Sequence, residues 1–516
     1  MSYAVPRVAP PAASPAVAGG IRHAPAPRWA LGVVLLVQAG LSARLVWTDT
    51  AFQDEALYLR AGHLEWAHWL HHAPVPDFPA YFSGAPVAYP LLGALADSAG
   101  GLAAARLLSL VFMLGSTALL WATTTRLYGR RAALLACGLF ATLAGTQFLG
   151  SLATFDAPAL FLLALGTWLA VRGATAPASA RLITRIALLA GAGVVLAAAD
   201  VTKYAAALFT PVVVVMVALA AGRRRPLRAV IVLTAWAVPL AGAVAAGGHD
   251  YWLGVTTSTL ARPAADSPVS SVLHDAYVWT SLVLVLAALG VWLSARGRPG
   301  SHPGGRFLPA VLLAAALLVP AEQARLHTTV SLQKHVVFGA WFAAIAAGYA
   351  LARLSRVDRG YGWMAVMALP IAAATVFGSL GQAHFLHRDW PDATAVVKAL
   401  RPEVRAHPGP YLAEDDDVEA YYLRTEVRWQ NWSSTYYYRF AGQAPGAPSY
   451  ATALGRHYFA LVILDNGDTA ATDALIVADM RHTGGYRELD HAGRFIVWVR
   501  DQGSPSGPAG RSRVGR

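Results

Sequence analysis

The sequence predicts a polytopic α-helical membrane protein of about 11 spans with a small extracytoplasmic C-terminal α/β domain. Three observations predict it. Of the 516 residues 56% are hydrophobic and only 14% charged, against roughly a quarter charged in soluble domains. Apolar stretches of about 20 residues, long enough to cross a bilayer, recur through the first three quarters of the chain. The loops between them alternate in charge.

Residues 1–28 are rich in Pro and Ala, carry Arg7, Arg22 and Arg28, and lack the short apolar core of a signal peptide. They read as a disordered cytoplasmic tail. Apolar stretches follow near 29–47, 103–125, 131–149, 156–172, 183–201, 204–222, 229–247, 273–295, 306–322, 334–352 and 361–381. One set of loops carries Arg7, Arg22, Arg28; Arg126, Arg130, Arg131; Arg172, Arg181, Arg185; Arg223, Arg224, Arg225, Arg228; Arg296, Arg298, Arg306; and Arg353, Arg356, Arg359, with Asp358 as the one acid. The other set holds Asp49, Asp54, Glu55, Glu65, Asp77, Asp97, Asp156, Asp200, Asp250, Asp266, Asp275 and Glu322. Basic loops stay in the cytoplasm. The acids are therefore expected outside, and the first outer loop, 48–102, is the longest of them.

After Gly381 the composition changes. Residues 385–502 are charged, nearly balanced, and alternate in pattern, with helices expected over Thr394–Val404, Val418–Leu423 and Thr472–Met480 and strands over Pro410–Ala413, Tyr458–Asp465 and Arg494–Val499. Such alternation predicts a small α/β domain, and an odd number of spans puts it outside. Residues 503–516 read as a disordered tail rich in Gly, Ser, Pro and Arg. The transmembrane domain is thus expected over 29–384.

The single cysteine, Cys137, excludes a disulfide framework and a thiolate metal site. The net charge of +12 sits in short loops and tails, so nucleic acid is not an expected partner. No cytoplasmic loop is long enough for a nucleotide-binding domain and no Walker-type loop is present, which argues against phosphoryl transfer from ATP. The expected outer face holds Asp54 and Glu55 in the first loop, Asp156 at the start of a span and Lys203 at a turn. Glu322, Arg325, His327, Lys334 and His335 follow in the fifth loop. Carboxylates facing cations suit displacement at an anomeric carbon. A carboxylate takes the proton of an attacking hydroxyl, and cations receive the charge growing on a phosphate leaving group. The donor is expected to be lipid-linked, since nucleotide sugars belong to the cytoplasm.

Phe52-Gln-Asp-Glu-Ala-Leu-Tyr, Ser83-Gly-Ala-Pro-Val-Ala-Tyr-Pro90 and Gly101-Leu-Ala-Ala-Ala-Arg106-Leu-Leu-Ser are followed in order by Arg126-Leu-Tyr-Gly129, Thr154-Phe-Asp156-Ala-Pro158 and Thr202-Lys203-Tyr204. Together they resemble the GT-C superfamily, and within it glycosyltransferase family 39, which includes protein O-mannosyltransferases and aminoarabinose transferases. The resemblance implies a GT-C-type helix bundle and inversion at the anomeric carbon. It also implies a polyprenyl-phosphate sugar donor, Asp54 as catalytic base, Asp156 as the second acid of the site and Lys203 as a ligand of the donor phosphate. Glu55 would orient Asp54, ligate a metal or face water. Some members of that group bind a divalent metal near these carboxylates, which would make Asp54, Glu55 and Asp156 its ligands. The fifth-loop cations Arg325, Lys334 and His335 are assigned to the donor phosphate. The C-terminal part has no recognisable sugar- or peptide-binding module of the mannosyltransferase type.

Three other groups have blander readings beside the sharp ones. His68 and His72 stand at metal-ligand spacing, but with Trp66 and Trp69 they fit an interfacial helix better. Glu414-Asp-Asp-Asp417 could hold calcium, yet acids before an apolar helical run favour the helix dipole. Trp429, Trp432, Tyr436, Tyr437 and Tyr438 are sugar-stacking or core residues, with core favoured. The expected function is transfer of a sugar from a polyprenyl-phosphate donor to an acceptor hydroxyl of a cell-envelope glycan, lipid or protein at the outer face of a bacterial plasma membrane. A secondary transporter and a non-catalytic envelope assembly protein are the alternatives.

Overall fold

The chain is described by a computed structural model over residues 29–501, apart from 178, 220–224, 298–304, 356–369, 371–373, 375–376, 389, 415, 437 and 468. The tails expected at 1–28 and 503–516, and most of the span expected at 361–381, lie outside the described residues.

Helices dominate the first part. They are α1 (Trp29–Val46), α2 (Gln53–His71), α3 (Tyr89–Tyr128), α4 (Arg130–Thr142), α5 (Ala144–Leu149), α6 (Asp156–Ala174), α7 (Leu182–Thr202), α8 (Thr210–Leu219), α9 (Arg225–Val255), α10 (Val269–Ala295), α11 (Leu308–Arg325), α12 (Leu332–Leu354) and α13 (377–386). Among the described residues eight helical segments are long and apolar enough to cross a membrane. The sequence pattern gave about 11; the stretch at 361–381 is mostly outside the described residues, and two others are broken locally. The stretch 131–149 is two short helices, because Leu143 takes extended ψ (φ −59°, ψ 139°) between α4 and α5. The stretch 204–222 opens as a 3₁₀ helix, Tyr204–Phe209, before α8. The first outer loop is itself mostly helical. It contains α2 and the start of α3, which reaches its membrane-crossing half only after a break where Gly101 adopts φ 68°, a conformation open to glycine at no steric cost.

The bundle core is apolar and close-packed. Its centre is α12, which is buried on nearly every face against α4, α10 and α11. Small residues along α12 let neighbouring backbones approach, as membrane helices require when water supplies no drive for their association. Outward-facing side chains such as Trp29, Leu36 and Ile183 are exposed and suited to lipid. The first turn of α12 lies at the same end of the bundle as the C-terminus of α1, the N-termini of α3 and α6 and the C-terminus of α7.

That end carries the α/β domain: α14 (Thr394–Ala406), β1 (Tyr411–Ala413), α15 (Asp416–Tyr422), β2 (Trp432–Ser434), α16 (Ala447–Gly455), β3 (Leu461–Leu464), α17 (Ala470–Thr483), β4 (Tyr486–Ala492) and β5 (Phe495–Arg500). The sheet order is β2-β1-β3-β5-β4, with β1 parallel to β2 and β3, and β5 antiparallel to β3 and β4. Central β3 is buried along its whole length, as its Leu-Val-Ile-Leu run demands. The domain is fastened to the first outer loop. Tyr422 Oη accepts the Ala51 N–H at 2.8 Å, Trp390 Nε1 donates to the Thr50 carbonyl at 3.2 Å, and Thr50 Oγ1 accepts the Ala393 N–H at 3.0 Å. Arg60 of α2 pairs with Asp417 of α15.

Candidate active site

The site begins at the first turn of α2. Phe52 is extended, α2 starts at Gln53, and the Glu55 carboxylate accepts the Phe52 N–H at 3.0 Å, closing one open donor of the helix start. Glu55 is wholly buried. Its oxygens also take Arg106 Nε at 2.9 Å, Arg106 Nη2 at 2.7 Å and the Ala153 N–H at 2.6 Å. Arg106, from the membrane-crossing half of α3, spends its remaining donors on the carbonyls of Val46, Asp49 and Thr50 at 2.9–3.0 Å. All five guanidinium donors are used, and so are the four acceptor positions of the carboxylate. A buried ion pair of this completeness fixes the chain before α2 and the loop before α6 as one unit.

Asp54 is the neighbour of Glu55 and has the opposite surroundings. Its side chain is 29% exposed and lines a cavity of about 1010 Å³ between the bundle and the α/β domain. Lys334, buried in the first turn of α12, donates to its carboxylate and stands 5.0 Å from the centre of the Phe52 ring. On the bundle side of this pair lies a second one. Lys203 Nζ is 2.9 Å from Asp156 Oδ1, both residues being buried, and Thr154 Oγ1 donates to Asp156 Oδ2 at 3.0 Å. Lys334 lies within electrostatic reach of Asp54 and Asp156 alike.

Lys203 is brought there by the first outer loop. Ala85 N–H donates to Val201 O and Tyr204 N–H to Ser83 O, each at 2.9 Å. Gly84 lies between them, and a Cβ at that position would sit 2.1 Å from the Thr202 carbonyl oxygen. A small pocket of about 90 Å³ opens beside Lys203, with His335, Arg262, Ser83 and Gln323 on its walls. Gln323 Nε2 lies 3.1 Å from His335 Nδ1 and also donates to the Val330 carbonyl at 3.1 Å.

The structure thus gathers Asp54, Asp156, Lys203, Lys334 and His335 at one end of the bundle, with Glu55 directly beneath. Arg325 stands apart. Its side chain is 58% exposed and is held by Glu322 at 2.9 and 2.6 Å. The histidines of α2 do not converge either. His63 Nε2 meets Asp97 at 2.6 Å, while His68 Nδ1 meets the Ala73 carbonyl at 2.8 Å. Glu414 accepts the N–H groups of Asp465 and Thr469 at 3.1 and 2.8 Å, so it ties down the chain between β3 and α17. Tyr438 is core, Trp432 lies in β2 and Trp429 on the surface of the domain; Tyr437 is outside the described residues.

The far wall of the large cavity is acidic, with Glu414, Glu419 and Asp465. Burial pushes the Glu419 carboxyl up to about 8, helped by the charges of Asp416, Asp465 and Asp417, so that it is mostly neutral at pH 7. The three acids expected as ligands of a divalent metal are each engaged by protein groups. Glu55 has no free acceptor position, Asp156 is held by Lys203 and Thr154, and Asp54 is held by Lys334. Arg106, Arg262 and Tyr422 carried no role in the sequence reading. For Arg106 the signal was available, since a charge inside a membrane helix is costly and rarely idle.

Residues 90–246 match the family model described as dolichyl-phosphate-mannose-protein mannosyltransferase. Among solved structures the chain is similar to ArnT from Cupriavidus metallidurans bound to undecaprenyl phosphate, with TM-score 0.61 and 16% identity over 93% of this chain and 98% of that one. It is similar to the oligosaccharyltransferase AglB from Archaeoglobus fulgidus in complex with an inhibitory peptide and a dolichol-phosphate, with TM-score 0.56 and 14% identity over 92% and 74%. The arabinofuranosyltransferase AftD from Mycobacteria gives 0.55 and 15% over 94% and 40%. No curated protein matches the chain by sequence. The chain is a multi-pass helical membrane protein that shares the GT-C fold of these structures.

Proposed function

We propose that the chain is an inverting glycosyltransferase that moves a sugar from a polyprenyl-phosphate donor to an acceptor hydroxyl. One observation carries the reading. Asp54 is a partly exposed carboxylate on a cavity wall, held by a buried lysine, while its neighbour Glu55 is locked into the scaffold. That division suits a base and its mount.

In the reaction, the Asp54 carboxylate takes the proton of the acceptor hydroxyl as its oxygen attacks the anomeric carbon. The bond from that carbon to the phosphate oxygen breaks, and the electron pair leaves on the polyprenyl phosphate. Lys203 and Lys334, with His335 and Arg262 lining the pocket beside them, receive that charge. Asp156 holds Lys203 in place. Arg325, tied to Glu322, would meet the donor only at the rim. None of these steps is routed through a metal.

The donor class is supported by the lipid phosphates bound to the two solved relatives. The charge alternation of the loops supports an outer-face site and a cytoplasmic N-terminus in a bacterial plasma membrane. The test is transfer of radiolabelled sugar from a lipid-linked donor pool by the protein in nanodiscs. Label should reach an envelope acceptor with the native chain and not with Asp54→Asn, which should still bind donor lipid. Equal transfer by the two proteins would sink the assignment.

A further inference from the structure

A second cleft, of about 600 Å³, opens between α2 and the α/β domain on the other side of α15 from the large cavity. Its size falls within the roughly 300–1,000 Å³ of ligand clefts. Its chemistry is the reverse of the large cavity's. Arg60, His63, Arg424 and Arg428 line it together with Trp429 and Trp432, and no carboxylate does. The acids that neutralise part of this charge stand behind the wall. Asp417 pairs with Arg60, while Asp97 holds His63 at 2.6 Å, Arg424 at 3.2 Å and the Tyr421 hydroxyl at 2.6 Å. Arg428 makes no ion pair among the described residues.

The two tryptophans differ in a telling way. Trp429 donates its indole N–H to the Pro74 carbonyl at 3.1 Å, which fixes one wall against the loop after α2. Trp432 is 93% buried, yet its Nε1 has no acceptor among the described residues. A buried donor left open costs about 1–3 kcal/mol, and Trp432 is one of the residues that line the cleft. Guanidinium groups recognise planar carboxylate and phosphate oxygens. An indole face packs against the C–H face of a pyranose while its N–H bonds a ring substituent. The aliphatic part of the lining is Leu64, Ala73, Pro74, Ala420 and Val427.

We infer that this cleft binds an acidic saccharide, one bearing a carboxylate or phosphate. Arg428 and Arg424 meet the anion, and Trp432 donates to the sugar. Arg60 lies six residues along α2 from Asp54, an axial rise of about 9 Å at 1.5 Å per residue. As an acceptor subsite the cleft rests on the transferase reading; as a binding site it does not.

The experiment measures binding rather than turnover. Tetragalacturonate, neutral maltotetraose and glycerol 1-phosphate are titrated calorimetrically into the full chain in phosphatidylcholine nanodiscs. Tetragalacturonate should bind about tenfold more tightly than maltotetraose, the step expected for a hydrogen-bonded charge, and equally well in Asp54→Asn. Arg428→Ser, at an exposed position, should weaken it several-fold with unchanged melting, and Trp432→Phe, which keeps a ring but loses the N–H, should weaken it several-fold in a protein that still unfolds cooperatively, at a melting temperature lowered by the smaller core side chain. Equal affinity for the neutral sugar overturns the proposal, as does full affinity in either variant. Displacement of tetragalacturonate by an equal concentration of glycerol 1-phosphate overturns it in favour of a lipid headgroup. If transfer fails while acidic-sugar binding persists, the cleft stands and only the transferase reading falls.

Discussion

Lys334 donates to Asp54 from a helix 280 residues further along the chain. The pair holds the carboxylate on the wall of the large cavity and sets a cation beside it. Removing the charge of Asp54 while keeping its shape isolates the base. Asp54→Asn should lower turnover on the order of 10²–10⁴-fold, with donor affinity preserved, measured by transfer rate and lipid binding in parallel.

Glu55 should behave differently. Glu55→Gln leaves buried Arg106 without its counter-charge, and breaking such a pair costs about 3–5 kcal/mol. Thermal unfolding in detergent should show a large loss of stability. A Glu55→Gln protein that melts normally but is inactive would instead give Glu55 a chemical role.

Lys203 and Asp156 allow a sharper separation of fold from function. Lys203→Met strands a buried carboxylate and should lower both stability and donor affinity. Adding Asp156→Leu removes the stranded charge and should restore the melting temperature. It should leave the KM for donor raised, because the phosphate still lacks its ligand.

If lysines stand in for a divalent ion, chelation should be silent. Transfer rates before and after exhaustive EDTA treatment, with no metal in the assay, are expected to agree within error. Activity abolished by chelator and restored by Mg²⁺ or Mn²⁺ would contradict this.

The α/β domain should lose stability as pH rises. Burial and the neighbouring Glu414 push the Asp473 carboxyl up to about 8, and Asp465 is raised to about 6. An acid held above its unfolded value, about 3.9 for Asp, favours the fold while protonated. Its contribution is complete below about pH 4 and is lost as pH climbs through its folded value. Glu414, held low by hydrogen bonds from Asp465, Asp473 and Thr469 despite its burial, works in the other direction, but only below its ordinary range. Between about pH 4.5 and 8 the raised acids govern. Melting followed at several pH values should fall across that window; Asp473→Asn should remove part of the slope, and Glu419, also raised to about 8, should keep part of it.

The fold was legible where apolar length alone decides. Spans such as α6, α7 and α12 stand out because the bilayer demands an unbroken apolar run. The break at Leu143 was not legible, since it falls inside continuous apolar sequence where hydropathy has no boundary to register. In the α/β domain the buried strands showed, but β4, with Arg487, Glu488 and Asp490 on a sheet edge, carries the charges that edges use to avoid mispairing and reads as loop. The carboxylates and lysines near Asp54 were visible as charges at span ends. Which acid is free and which is locked was not, because Arg106 and Ala153 reach Glu55 from helices and loops far along the chain.

The threads from Tyr422, Trp390 and Ala393 to residues 50 and 51 have a practical consequence. Three contacts from the far end of the polypeptide hold Thr50 and Ala51, just ahead of Asp54. A truncation ending at α13 would therefore not yield a smaller version of the same catalyst. It would release the stretch that sets the aim of its base, so fragments of this protein are the wrong place to look for its chemistry.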